Sequence, residues 1–312
     1  MLNLKEIMAY FPKRIGNEIN RKVLQNNTSD GMNLLEEIRI RTARPVVLKY
    51  SNSEQILDNL LTSQEEVLEI LQTICNNSIY SYQNQICNGY ITLKGGHRVG
   101  ITGSIVLVEN KITNINYISS LNFRISKQII GASSRILKYV LNIEENRVYN
   151  TLIISPPGVG KTTMLRDLVR KISTGMEQIN FKGITVGLVD ERGEIAAMYK
   201  GIPQNDVGLR TDILDNIPKS MGMKMLIRSM APEVIIADEI GSKEDVEAIN
   251  YAVCCGIKGI FTAHGQNLED IQLNPAISKL IDMHIFDRLI FLNSKQKGEI
   301  DKVYTLNKIN SE

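Results

Sequence analysis

Residues 155–163, Ser155-Pro156-Pro157-Gly158-Val159-Gly160-Lys161-Thr162-Thr163, have the types and spacing to hold a triphosphate. Gly158 and Gly160 permit backbone angles that a Cβ resists, so successive main-chain N–H groups can close around an anion. Lys161 would bring a positive charge to the β- and γ-phosphate oxygens, and the Thr162 hydroxyl is placed to coordinate Mg²⁺. Thr163 is expected to help with the α-phosphate. The glycine that usually opens such a loop is Ser155 here. Serine is at home at negative φ, and the two prolines stiffen the approach. A second segment, Val234-Ile235-Ile236-Ala237-Asp238-Glu239, is an apolar run ending in two acids. It predicts a buried strand that delivers Asp238 to Mg²⁺, directly or through its water. Glu239 then becomes the group that orients and deprotonates an attacking water. The expected ligands are therefore ATP and Mg²⁺, and the expected chemistry is hydrolysis of the γ-phosphate.

Weaker candidates lie at the ends of other strands. Thr262-Ala263-His264-Gly265 follows a short apolar run, which would set Thr262 or His264 at the ligand-binding edge of a parallel sheet. Asp190 and Glu191 also follow an apolar run and could enter the same site. Arg210 and Arg98 are candidates for neutralising transition-state charge, with a structural ion pair as the alternative for each.

These groups need a scaffold, and the hydrophobic periods supply one. From Asn150 onward the order is strand 151–155, Gly-rich loop, helix 161–173, strand 183–189 and an irregular stretch to Lys219. Helix 220–230, strand 234–237, helix 243–256, strand 259–262 and a hairpin over 288–306 follow. Strands alternating with helices predict a parallel sheet with right-handed crossovers. The N-terminal part reads differently. A helix broken near Pro12 is followed by two short strands around 38–40 and 46–48. Ser63–Glu66 is a capping box that starts another helix, and 90–125 reads as a β-meander, with separate strands at 112–118 and 121–125. Helical spacing returns over 134–141. The polar stretch 142–149 suggests a boundary between domains 1–145 and 146–312. The fold class expected is α/β, a P-loop core preceded by a smaller α+β domain.

Composition narrows the function classes. A net charge of +2 gives no global pull toward nucleic acid or membrane. The N-terminal half is mildly basic, which keeps a nucleic-acid-dependent ATPase as the alternative reading. The absence of tryptophan and a 5% aromatic content disfavour single-strand stacking platforms. A nucleotide-gated assembly platform with negligible hydrolysis is a third reading. The N-terminus lacks a secretory pattern, and no apolar run is long enough to span a bilayer. The four cysteines show no zinc spacing and are expected to be buried and reduced. Met221, Met223, Met225 and Met230 are expected to fill core gaps.

As a set, several segments resemble the stage III sporulation protein AA family of endospore-forming bacteria, a branch related to type II and type IV secretion ATPases. They are Glu37-Ile38-Arg39, Gly96 to Gly103, Pro156 to Thr163, Asp190 to Ala196, Arg210-Thr211-Asp212, Ile227 to Glu233 and Thr262 to Gly265. The resemblance spans nearly the whole chain. In secretion ATPases, acids after the second core strand form an Asp box and a histidine after the fourth forms a His box. Asp190 and Glu191 occupy the first place and His264 the second. Many of those enzymes carry Gly-Glu where this chain has Asp238-Glu239. Two divisions of labour stay open: Glu239 as the base, or Glu239 on Mg²⁺ with Asp190 or Glu191 handling the water. The resemblance implies a RecA-like ATPase in the mother-cell cytoplasm, working as a homo-hexamer with sites between subunits. It further implies docking on membrane-embedded channel proteins between mother cell and forespore, with the membrane reached only through those partners.

Overall fold

The computed structural model describes residues 4–26, 35–293, 296 and 298–306. Its contacts divide the chain into two units, Met1–Lys127 and Gln128–Glu312.

In the first unit, Pro12 separates α1 (Leu4–Met8) from α2 (Lys13–Asn26). The strands are β1 (Leu35–Arg41), β2 (Pro45–Tyr50), β3 (Glu54–Leu61), β4 (Tyr90–Thr92), β5 (Arg98–Val108) and β6 (Lys111–Arg124). They form one antiparallel sheet in the order β3-β2-β1-β6-β5-β4. Helix α3 (Gln64–Ile74) starts at the capping box: Ser63 Oγ accepts from Glu66 N, and the Glu66 carboxylate accepts from Ser63 N. Helix α4 (Gln83–Cys87) precedes β4.

Two features depart from the sequence expectation. Strand β3 was not expected, because a register shift against β2 breaks its alternation and leaves Leu57 and Leu60 as its buried pair. The two expected strands 112–118 and 121–125 are one strand, β6. Its pattern is interrupted because β5 shifts register between Thr102 and Ser104, while Tyr117 turns to a φ of 46°.

The second unit begins earlier than the polar stretch 142–149 suggests. The short helix α5 (Leu137–Val140) is all that forms of the helical spacing over 134–141. Ile136, Val140, Leu141 and Val148 nonetheless bury in the same core as Met164, Leu165 and Leu168 of α6 (Lys161–Thr174), which places this segment with the second unit. The sheet strands are β7 (Thr151–Ser155), β8 (Val186–Asp190), β9 (Thr211–Asp215), β10 (Val234–Ala237), β11 (Lys258–His264), β12 (Arg288–Leu292) and β13 (Ile300–Thr305). Their order is β9-β8-β10-β11-β7-β12-β13, parallel throughout except for the terminal β12–β13 hairpin. The central strands are apolar runs because both faces are covered. Ile153 and Ile236 pack on the side of α6, whereas Leu152, Ile154 and Ile235 pack with α7 (Lys219–Met230), α8 (Lys243–Cys254) and α9 (Pro275–Asp282).

Strand β9 lies in the stretch read as irregular. It is an edge strand with every residue half-buried, so it carries no apolar run to betray it. The methionines also differ from expectation: Met223 is buried, but Met221, Met225 and Met230 are exposed on α7. Of the cysteines, Cys75 is buried and Cys254 and Cys255 are exposed at the end of α8.

Asp167, on α6, fixes the start of this unit. It is 1% exposed. Its carboxylate accepts from Gly131 N (3.1 Å), Ser133 N (2.9 Å) and Ser133 Oγ (2.6 Å), and Arg170 and Lys171 lie beside it. Burial raises its pKa, but the Ser133 hydroxyl, Arg170 and the two main-chain N–H groups outweigh this and hold it well below the usual carboxylate range. The unfolded-state value is about 4. The stabilisation is therefore complete above about pH 4 and is lost as pH falls below it. Asp167→Ala should cost about 3 kcal/mol, because it orphans buried donors and cations. Urea denaturation at neutral pH measures that loss, and the variant should lose less stability on acidification than the parent.

Candidate active site

Strand β7 ends at the Gly-rich loop, and α6 begins directly after it. Gly158 (φ 80°) and Gly160 (φ 97°) adopt left-handed angles, and a Cβ on either would meet nothing within 4 Å. The cradle is thus open in front of the first amides of α6, whose N-cap, Gly160, supplies no side-chain acceptor. Those amides and the helix dipole favour an anion there. Val159 is buried and anchors the loop, while Pro157 stays exposed and Pro156 half-buried. Ser155 is buried and its hydroxyl donates to Pro156 O at 3.0 Å, so it closes the base of the turn without a glycine. Thr163 is half-buried on the first turn of α6.

Strand β11 lies between β7 and β10, and this order brings the remaining groups together. Thr162 Oγ1 donates to Asp238 Oδ2 at 2.7 Å. Thr262, fully buried at the end of β11, donates to the other Asp238 oxygen and accepts from Glu239 N at 2.7 Å. Glu239 itself has a φ of 53°, a strained angle for a residue with a side chain, costing about 1–3 kcal/mol. The Thr262 bond holds it there.

Lys161 Nζ donates to Ala263 O (3.0 Å) and Ser155 O (3.4 Å) and lies 3.2 Å from His264 Nδ1. An ammonium only donates, so His264 Nδ1 accepts and its proton sits on Nε2. That Nε2 is 2.9 Å from Glu239 Oε1. Burial pushes the Lys161 pKa down, Asp238 and Glu239 push it up, and the charge of Arg192 pushes it down again; the net direction is down. The three acceptors around the ammonium are two carbonyl oxygens and an imidazole nitrogen, so its hydrogens are satisfied by neutral groups.

The two acids after β8 have different places. Asp190 is 3% exposed, and its carboxylate accepts from the main-chain N–H groups of Glu194, Ile195 and Ala196 at 2.8–3.1 Å. Burial raises its pKa and those N–H groups oppose the rise. Its oxygens hold the loop that follows β8. Glu191 is paired with Lys219 at the start of α7. The residue between them and Gly193 is Arg192, which lies 2.6 Å from Glu239 Oε2. Asp190, Glu191, Arg192, Lys219, Asp238 and Glu239 border a space of about 20 Å³, room for one water. A wider cleft of about 440 Å³, lined by Glu191, Lys219, Ser220, Glu239, Ser242 and Glu244, opens beside it.

Arg210 donates to Ser173 O and Thr174 O at the end of α6, where a cation suits the helix dipole. Arg98 stacks on the Tyr90 ring at 3.3 Å. Each has a local structural partner. The sequence reading missed Arg192 and Lys219. Their signal lay in the sheet order: β8 pairs with β10, so the turn after one strand meets the turn after the other.

The residues fit Mg²⁺ arriving with a nucleotide. Thr162 and Asp238 offer hard oxygens close together, and among the described residues no cluster of three His, Cys, Asp or Glu could form a protein-only cage. Mg²⁺ typically takes one or two protein oxygens and completes its shell with phosphate and water.

The family model for "Sporulation stage III, protein AA" matches residues 12–310. The chain belongs to that family. Stage III sporulation protein AA of Bacillus subtilis (strain 168) is 40% identical over 271 residues, covering 86% of each chain. The uncharacterized protein ycf45 of Porphyra purpurea is 29% identical over 189 residues, 60% of this chain and 31% of that one. Among solved structures, the Legionella pneumophila ATPase DotB superposes with a TM-score of 0.59 at 13% identity, over 96% of this chain and 82% of its own. The pilus retraction motor PilT, solved with bound ADP, gives 0.55 at 14% identity, over 88% and 77%. This member of the sporulation family therefore has the RecA-like P-loop fold expected from its sequence. Among the described residues no helix is long and apolar enough to cross a membrane.

Proposed function

We propose that this chain is a Mg²⁺-dependent ATPase that drives a sporulation-specific, secretion-like channel complex between mother cell and forespore. The observation that carries the chemistry is the Thr162–Asp238 bond at 2.7 Å, which joins an open glycine cradle to an apolar strand ending in Glu239. In this reading residues 155–163 hold the phosphates and Lys161 neutralises the β- and γ-oxygens. Bound Mg²⁺ supplies charge neutralisation on the same phosphates, with Thr162 and Asp238 as its protein oxygens. Glu239 takes the proton of the attacking water from the water-sized space beside it. His264 reports on Lys161 through one ring nitrogen and steadies Glu239 through the other.

The division of labour goes to Glu239 because Asp190 is committed to its own loop. Asp190→Asn should lower the melting temperature by several degrees while changing turnover less than about tenfold; a loss near that of a missing base, up to about 10⁴-fold, would return the water to Asp190.

The motor, the homo-hexamer, the channel partners and the mother-cell cytoplasm rest on family membership and on a fold shared with a pilus retraction motor. Phosphate release from Mg-ATP by the purified chain, abolished by EDTA, tests the enzyme. Solution mass with and without a non-hydrolysable ATP analogue tests the assembly, with a hexamer expected on nucleotide. Strong stimulation by single-stranded DNA would instead favour a nucleic-acid-dependent ATPase.

A further inference from the structure

Arg192 stands at the apex of a turn that is fixed on both sides. Gly193 N donates to Asp190 O at 3.0 Å, and the next three amides are held by the Asp190 carboxylate. The stem of Arg192 is therefore set by a buried anchor, while its side chain is 64% exposed and reaches across to Glu239. Its charge is also felt at Lys161. Two cations and one imidazole thus ring the same mouth. In this arrangement each rests on an internal acceptor: Lys161 on two carbonyls and His264, His264 on Glu239, Arg192 on Glu239. Both oxygens of the expected base are engaged by groups that an incoming γ-phosphoryl would attract.

We propose that Arg192 is a catalytic arginine of its own subunit, held on Glu239 until a triphosphate is bound and then transferred to the γ-phosphoryl oxygens. This rests on the reading of the chain as an ATPase. In the step assigned to it, the water oxygen bonds to the γ-phosphorus as the bond from that phosphorus to the β–γ bridging oxygen breaks. The electron pair of the broken bond stays on ADP, and the water proton passes to Glu239 and from there to solvent. Charge that builds on the phosphoryl oxygens is met by Lys161 and by the planar fork of Arg192. The same movement releases Glu239 Oε2 when that carboxylate has a proton to accept. One side chain would thereby restrain the base without substrate and assist the reaction with it.

The test uses full-length Arg192→Ala and Arg192→Lys with two readouts: equilibrium binding of Mg-ADP and of a fluorescent ATP analogue, and single-turnover hydrolysis at saturating Mg-ATP. Arg192→Ala should bind both nucleotides within about threefold of the parent and hydrolyse on the order of 10³-fold more slowly. Arg192→Lys should recover only part, because an ammonium lacks the fork. Hydrolysis by Arg192→Ala within about threefold of the parent overturns the proposal and leaves the ATPase reading standing. Mixing Arg192→Ala with Lys161→Ala protein decides the subunit. The first keeps an intact cradle and the second an intact arginine, so recovered turnover would mean action across an interface and would overturn the same-subunit assignment. No recovery is expected. A parent chain that neither binds nor hydrolyses Mg-ATP overturns both readings together.

Discussion

Glu239→Gln should bind Mg-ATP as tightly as the parent and turn it over about 10³–10⁴-fold more slowly. The amide keeps the size of the side chain and one oxygen, so it can still take the His264 N–H, and the main-chain bond to Thr262 is untouched. What it cannot do is accept a proton from water. Asp238, Thr162 and the glycine cradle are unchanged, so binding should survive. The pair of measurements is equilibrium nucleotide affinity and single-turnover hydrolysis. Turnover at the parental rate would remove Glu239 from the role of base. A loss of binding instead would mean that the carboxylate serves chiefly to set the cradle.

Lys161→Ala acts earlier and should leave no measurable turnover, with nucleotide affinity reduced by on the order of 10³-fold. Its ammonium is buried, and burial disfavours its charge. The variant also frees Ala263 O, Ser155 O and His264 Nδ1 from their donor. Water can enter the open cradle and satisfy these acceptors, so the fold should lose little. A melting temperature within a few degrees of the parent, with binding gone, is the expected pairing; strong binding by this variant would contradict a phosphate role for the lysine.

The Gly-rich turn and the buried strand before Asp238 were readable in the sequence because their backbone geometry and burial restrict residue types locally. A left-handed turn calls for Gly158 and Gly160, and a strand buried on both faces calls for the run Val234 to Ala237. His264 and Thr262 were readable as strand-end polar groups. What was not readable depends on which strands are neighbours. Arg192 meets Glu239 only because β8 and β10 pair, and Asp190 looks catalytic by position until the amides of 194–196 are found on its oxygens. Strand β9 escaped because its half-exposed edge position calls for no apolar run. The boundary was misplaced for a related reason: the attachments of residues 131–134 to α6 are polar contacts across more than thirty residues, and composition does not record them.

Those attachments set a minimum size for the catalytic half. A fragment cut at the polar stretch and starting at Asn150 would keep the whole Gly-rich loop and both acids after β10. It would lose Gly131 and Ser133, leaving the Asp167 carboxylate with Arg170 and Lys171 but without its main-chain donors, and it would remove Ile136, Val140 and Leu141 from the core that α6 shares. The helix that follows the Gly-rich loop would then stand on an incomplete foundation. An excised module that keeps these supports must begin no later than Gln128, so the residues ahead of the polar stretch are the keel of the domain they open.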